Sequence, residues 1–302
     1  MAVRALFDVP APAKLNLFLH VIGRRPDGYH LLQSLFVLID WCDTLHFETR
    51  SDGALARHDL SAELPADDLC LRAARALQAA SGTSAGADIS IDKQVPWGAG
   101  MGGGSSDAAS TLLALNTLWG LHWPLHEVMK LGLSLGAYIP FFLGGQNAFV
   151  EGIGERLMPL ALPRQWLAVI KPAAHVETRG IFQSPLLARN TEMVILEGLI
   201  ARAREGGGTT PQIDFGRILA GFGRNDLQPP AQDICPEIAR AAHRLETTFG
   251  NSRMTGSGSA VFARAGTDDQ PVATLPADLE AGWVGRMCRS LEQHPLAGWA
   301  TD

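Results

Sequence analysis

The sequence predicts an α+β protein of two closely packed halves, and three observations carry that reading. Its 302 residues are enough to bury a sizeable core. Stretches with the two-residue period of strands and the 3.6-residue period of helices both recur, without the regular alternation of a doubly wound parallel sheet. The composition, 46% hydrophobic and 19% charged with no long polar tract, is that of an ordinary globular chain.

The elements follow in order. KLNLFLH (Lys14 to His20), GRRPDGYH and LLQSLFVLID read as strand, turn and strand, an N-terminal hairpin turning at Pro26-Asp27-Gly28. After LHFETR, a polar stretch through Arg57 and Ser61 leads to DDLCLRAARALQAA. There Leu69, Ala73, Ala76 and Leu77 share one helix face, and the helix ends near Gly82. ADISIDKQV alternates as a strand does, PWGAGMGGGSSD follows as a glycine-rich loop, and AASTLLALNTLW is apolar at helical spacing. A second helix, PLHEVMKLGLSLG, precedes AYIPFFLGGQNAFVEGIGE, in which Gly144, Gly145, Gly152 and Gly154 bracket a strand.

WLAVIK, Trp166 to Lys171, reads as a strand after Pro163, and the two domains are divided there into 1–163 and 164–302. The second half carries TRGIFQS, a helix around Glu192 to Arg204, an EGGGTTPQ linker and the turn FGRNDLQPP. It closes with the helix ICPEIARAAHRLETTFG and with SRMTGSGSAVFARA, a glycine-serine loop running into a strand.

A net charge of -6, from 25 Lys and Arg against 31 Asp and Glu, argues against a nucleic-acid partner bound by counterion release. Cys42, Cys70, Cys235 and Cys288 form no CxxC pair, so free thiols in a reducing compartment are expected. With no signal-like N-terminus and no apolar run of membrane length, a cytoplasmic protein is expected, not a membrane one.

The chemistry concentrates in Pro96-Trp97-Gly98-Ala99-Gly100-Met101-Gly102-Gly103-Gly104-Ser105-Ser106-Asp107, which packs five glycines into seven positions and opens a helix. Glycine permits positive φ and close approach of backbone to ligand, while the helix N-terminus supplies partial positive charge. A phosphate is the natural guest, and Ser105 and Ser106 add hydroxyls for phosphate or magnesium. The run is not a P-loop, for want of Gly-Lys-Ser/Thr, nor a Rossmann fingerprint, for want of an acidic ribose partner.

PWGAGMGGGSSDAA resembles the ATP-binding motif of the GHMP kinase superfamily. PAPAKLNLFLHVIGRRPDGYHLLQSLF resembles the N-terminal motif of its 4-diphosphocytidyl-2-C-methyl-D-erythritol kinase family, and RMTGSGSAVFA the C-terminal glycine motif. The similarity runs in order from about Pro10 to Phe262. It implies a two-domain fold with the active site in the cleft between domains. It also implies ATP and Mg2+ as cofactors, and transfer of the γ-phosphate to the 2-hydroxyl of a small cytidyl diphosphate substrate on the non-mevalonate route to isoprenoid precursors. A monomer or weak homodimer is expected.

Residue by residue, the resemblance puts Lys14 beside the acceptor hydroxyl, with Asn16 on the same strand. It gives Tyr29 and His30 the cytosine ring, with Phe182 stacking on the other side and Thr178 near the substrate. Lys93 and the Leu69 region would border adenine and ribose, with Pro96 to Ser106 holding the phosphates. Asp68 stands where the family often has asparagine, and Asp107 is expected to favour the helix end or assist magnesium. No metal ligand from a protein side chain is expected except Ser106.

One position departs from the pattern. Where the family has Gly-Ala-Asp-x-Pro-Phe-Phe, with the aspartate as base or orienter, this chain reads Gly136-Ala137-Tyr138-Ile139-Pro140-Phe141-Phe142. A phenol with an ordinary pKa near 10 is a poor proton acceptor, so impaired turnover is expected. Three readings of Tyr138 are open: an isolated substitution in a competent enzyme, the mark of a ligand-binding protein with little turnover, or a phenolate tuned by Lys14. The otherwise intact motifs favour the first.

Overall fold

The computed structural model describes residues 3–61, 63–194, 223–267 and 269–302. Two long antiparallel strands, β1 (Ala5–Arg24) and β2 (His30–Arg50), form its spine. The expected hairpin is present and runs well past the apolar segments that announced it. Most of β1 is buried because both faces of the hairpin are covered, which is why KLNLFLH is apolar rather than alternating.

The far edge of β2 is shared. Its C-terminal part pairs with β4 (Gly86–Asp92) and its N-terminal part with β5 (Ala148–Gly152), which pairs onward with β6 (Arg156–Pro159). β3 (Leu55–Asp59) adds to β4 in parallel, the connection passing through α1 (Leu69–Ser81). The stretch read as polar loop through Arg57 is thus an edge strand. Asp68 caps α1 by accepting from the Leu71 amide at 3.0 Å and pairs with Arg57 at 2.8 Å, a structural use of its carboxylate.

One face of this sheet packs on α1, α2 (Gly103–Leu118), α3 (Leu125–Leu135) and α4 (Ile139–Gly144) through Leu38, Phe47 and Ile89 against Leu77, Leu112 and Phe142. The other face meets a second, antiparallel sheet of order β10-β7-β9-β8. That sheet comprises β7 (Trp166–Lys171), β8 (Arg253–Met254), β9 (Val261–Gly266) and β10 (Val284–Arg289). Leu15, Leu17, Leu35 and Val37 interdigitate there with Leu167, Val169 and Phe262.

α5 (Thr178–Gln183), α6 (Gln228–Ile234) and α7 (Pro236–Phe249) complete the second half, with Ile238, Ala241 and Leu245 of α7 facing β7 and β9. The segment QPP, read as part of a turn, opens α6, since proline is well suited to a first helical turn whose amides lack partners anyway. The helix expected to reach Arg204 and the EGGGTTPQ linker lie within residues 195–222, outside the described residues. The tail returns to the first half: His294 N donates to Gly145 O at 2.7 Å, and Leu296 and Ala300 join the helical core. Among the described residues no helix is long and apolar enough to cross a membrane.

Candidate active site

The glycine loop lies between β4 and α2 and is tied down by its carbonyls. Gly98 O accepts from Ser259 N (3.2 Å), Ala99 O from Ala260 N (3.2 Å), Met101 O from Lys14 N (2.9 Å) and Gly102 O from Ser106 N (3.0 Å). With the carbonyls held by β1 and the β8–β9 segment, the amides remain for a ligand, together with the unpaired first-turn amides of α2. Gly100 is required sterically: at φ 73° a Cβ there would lie 2.3 Å from Thr255 O.

A cavity of about 270 Å³ opens over this loop, lined by Leu69, Lys93, Pro96 to Ser105, His175, Thr178 and Ser257 among others. A second, of about 910 Å³, is lined by Arg24, Tyr29, His30, Tyr138, Arg179 and Phe182 among others. Thr178 lines both. Its hydroxyl lies 2.8 Å from that of Ser257, in the loop before β9.

Lys14 and Asn16 project from the same face of β1, as an i, i+2 pair must. The Lys14 ammonium donates to Asn16 Oδ1 and, at 2.6 Å, to Gly100 O. It stands 5.1 Å from the centre of the Phe36 ring and 5.9 Å from that of Tyr138. Only 3% of Lys14 is exposed, and burial brings its pKa down to about 7. Asn16 is fixed in turn by Ser34 Oγ (2.9 Å) and, through its backbone amide, by Thr255 Oγ1 (2.9 Å). Thr255 thus bolts the C-terminal glycine motif to β1, a role that resemblance could flag only as part of RMTGSGSAVFA.

Known proteins match the chain over nearly its whole length. The N-terminal domain model of the GHMP kinases matches residues 68–151 and the C-terminal one residues 211–277. A 4-diphosphocytidyl-2-C-methyl-D-erythritol kinase of Methylibium petroleiphilum is 61% identical over 99% of this chain and all of its own length. That of Paracidovorax citrulli is 55% identical over 99% of each. A crystal structure of a 4-(cytidine 5'-diphospho)-2C-methyl-D-erythritol kinase superposes with a TM-score of 0.69 at 36% identity, covering 86% of this chain and 90% of the other. The chain belongs to the 4-diphosphocytidyl-2-C-methyl-D-erythritol kinase family. It is a phosphotransferase with the two GHMP kinase domains. The Methanococcus jannaschii mevalonate kinase, 15% identical with a TM-score of 0.64 over 96% of this chain and 99% of its own, shares the fold.

The structure adds detail at three sites the resemblance named. Lys93 lines the first cavity with Leu69, and its ammonium is buried between Asp43 and Asp107, the latter at 2.7 Å. Burial lowers its pKa, but the Asp107 and Asp43 carboxylates outweigh that and raise it overall. Burial, with Asp43 adding to it and Lys93 opposing, raises Asp107 well above the usual carboxylate range. Asp107 therefore belongs to a buried ion cluster in the second turn of α2, not to the helix end. Asp43 Oδ1 also accepts the Gln94 and Val95 amides, which anchors the chain entering the loop.

Ser106 is the second: its hydroxyl is buried and does not line the cavity, whereas Ser105 does. The third concerns the base site. His30 and Phe182 stack directly, with centroids 4.8 Å apart and planes at 23°, so a base between them would need roughly 7 Å. Tyr29 stands exposed beside them.

Tyr138 lines the second cavity from the N-terminus of α4, packing edge-on to Phe36 at 5.7 Å and beneath Gly154. Burial raises its pKa, so the phenolate reading is not favoured. Lys14, against the same ring, lines neither cavity. Tyr138 makes no capping bond to α4, where an aspartate would be a good cap.

Proposed function

We propose that this chain transfers the γ-phosphoryl group of ATP to the 2-hydroxyl of 4-diphosphocytidyl-2-C-methyl-D-erythritol, a step in making isoprenoid precursors, and that Tyr138 slows the transfer. The observation that carries this reading is the meeting of two cavities at Thr178, one floored by the glycine loop and one walled by aromatic rings and arginines. The loop amides at Gly98 to Ser105 would hold the phosphates. Tyr29, His30 and Phe182 would hold the cytosine, the last two after parting.

Phosphoryl transfer asks chiefly for positioning and for charge to meet the developing negative oxygens. Lys14, oriented by Asn16 and Gly100 O, is a cation at the loop with no carboxylate partner among the described residues, and a bound phosphate would hold it protonated. Asn16 orients the acceptor alcohol through its fixed amide. No carboxylate among the described residues lines the first cavity, so magnesium would be carried by phosphate oxygens and water, neutralising charge on the transferring group.

A second reading, ligand binding with little turnover, is favoured by the Tyr138 ring, which occupies the acid position against Lys14. Mevalonate-type or homoserine-type acceptors are disfavoured, because neither would use the rings around the second cavity. The division at Pro163, the cytoplasmic setting and a monomeric or weakly dimeric state belong to the same proposal. The chain incubated with ATP, magnesium and the cytidyl substrate should give the 2-phosphorylated product by mass spectrometry. Binding of both ligands without product would favour the second reading, and absence of substrate binding would overturn both.

A further inference from the structure

A triphosphate is strongly anionic, and among the described residues two ionisable side chains line the glycine-loop cavity, Lys93 and His175. Lys93 already faces two carboxylates, Asp43 and Asp107, so its charge is matched before any ligand arrives. His175 comes from the other half, between β7 and α5, and is exposed. Its Nδ1 lies 3.4 Å from Gly98 O, and its ring sits 5.1 Å from that of Trp97, which is 70% exposed. A Cβ at Gly98 would lie 2.3 Å from His175 Nδ1, so the loop makes room for this imidazole by having glycine there.

We propose that His175 is a nucleotide-phosphate ligand: with Nδ1–H donating to Gly98 O, its Nε2–H is turned to the polyphosphate on the loop, and binding tightens as pH falls. This rests on the ATP reading above. An imidazolium offers both N–H groups at once, whereas neutral imidazole offers one. An adjacent phosphate favours an imidazolium, and so does an aromatic ring beside it, here that of Trp97.

Other charged groups surround it. Lys93, paired with Asp43 and Asp107, lines the same cavity, and Glu177 and Arg179 follow His175 along the chain. Lys171 and Glu237 hold the preceding turn through Ala174. The carboxylates of Asp43 and Asp107 are each paired with Lys93, which leaves the incoming phosphate as the main new negative charge.

The test is calorimetric titration of the chain and of His175→Gln with magnesium-free ATP, and with adenosine, at pH 6.0 and 8.5. Comparing the two proteins at each pH cancels protonation of ATP itself. The chain should bind ATP about tenfold tighter than the variant at pH 6.0 and about equally at pH 8.5. Adenosine should not distinguish the two proteins. An equal ATP ratio at both pH values would overturn the role of His175 and leave the ATP reading standing; failure of ATP to bind either protein would overturn both.

Discussion

Lys14 and Lys93 are two buried lysines at the same glycine loop, and they sit in opposite electrostatic settings. Lys93 lies between Asp43 and Asp107 and is held charged. Lys14 has amide and carbonyl oxygens and two aromatic rings for company, and its pKa falls to about 7. The difference teaches which lysine is free to act. A cation already matched by carboxylates is part of the scaffold, and an unmatched one is poised for an anion that has yet to arrive.

The comparison breaks most readily at Lys93. Lys93→Met would leave two carboxylates buried against each other without a cation and should cost about 3–5 kcal/mol of unfolding free energy in a urea titration. Unchanged stability would mean that the cluster is not a scaffold. Lys14→Met should do the reverse: stability equal to or above that of the parent, because a buried unmatched charge is removed, with phosphoryl transfer reduced by about 10²–10³. A large loss of stability in that variant would place Lys14 with Lys93.

His294 sharpens the rule away from the site. It is buried under the C-terminal tail, accepts from the Leu296 amide, and is pushed by burial down to about 4. The unfolded chain therefore binds the proton more readily. Stability from this group is complete above about pH 6.5 and is lost as pH falls toward 4, by on the order of 3 kcal/mol. His294→Gln should flatten that part of the pH–stability curve; a curve identical to the parent's would contradict it.

Much of this was legible in the sequence where local periodicity and turn chemistry decide structure. The hairpin, the helix ending at Gly82 and the strand at Trp166 stand where spacing and glycines put them, whereas α2 begins at Gly103, inside the run read as loop up to Asp107. β3 was hidden because an edge strand with one wet face can be polar: Arg57 and Asp59 read as loop while they pair with each other. The lysine cluster was hidden because Asp43 of β2, Lys93 just after β4 and Asp107 of α2 have no spacing in common. Thr255 and His175 reach the loop from the other half of the chain, and only the tertiary fold joins them to it.

Tyr138 stands between Lys14 and the second cavity, the place from which a carboxylate could take the proton of an acceptor hydroxyl. The most direct measurement is the rate of ATP-dependent phosphorylation of the cytidyl diphosphate substrate at pH 7 by the chain and by Tyr138→Asp. A restored proton acceptor beside Lys14 should raise the rate by roughly 10². An aspartate variant that binds both ligands and is no faster than the parent would contradict the account.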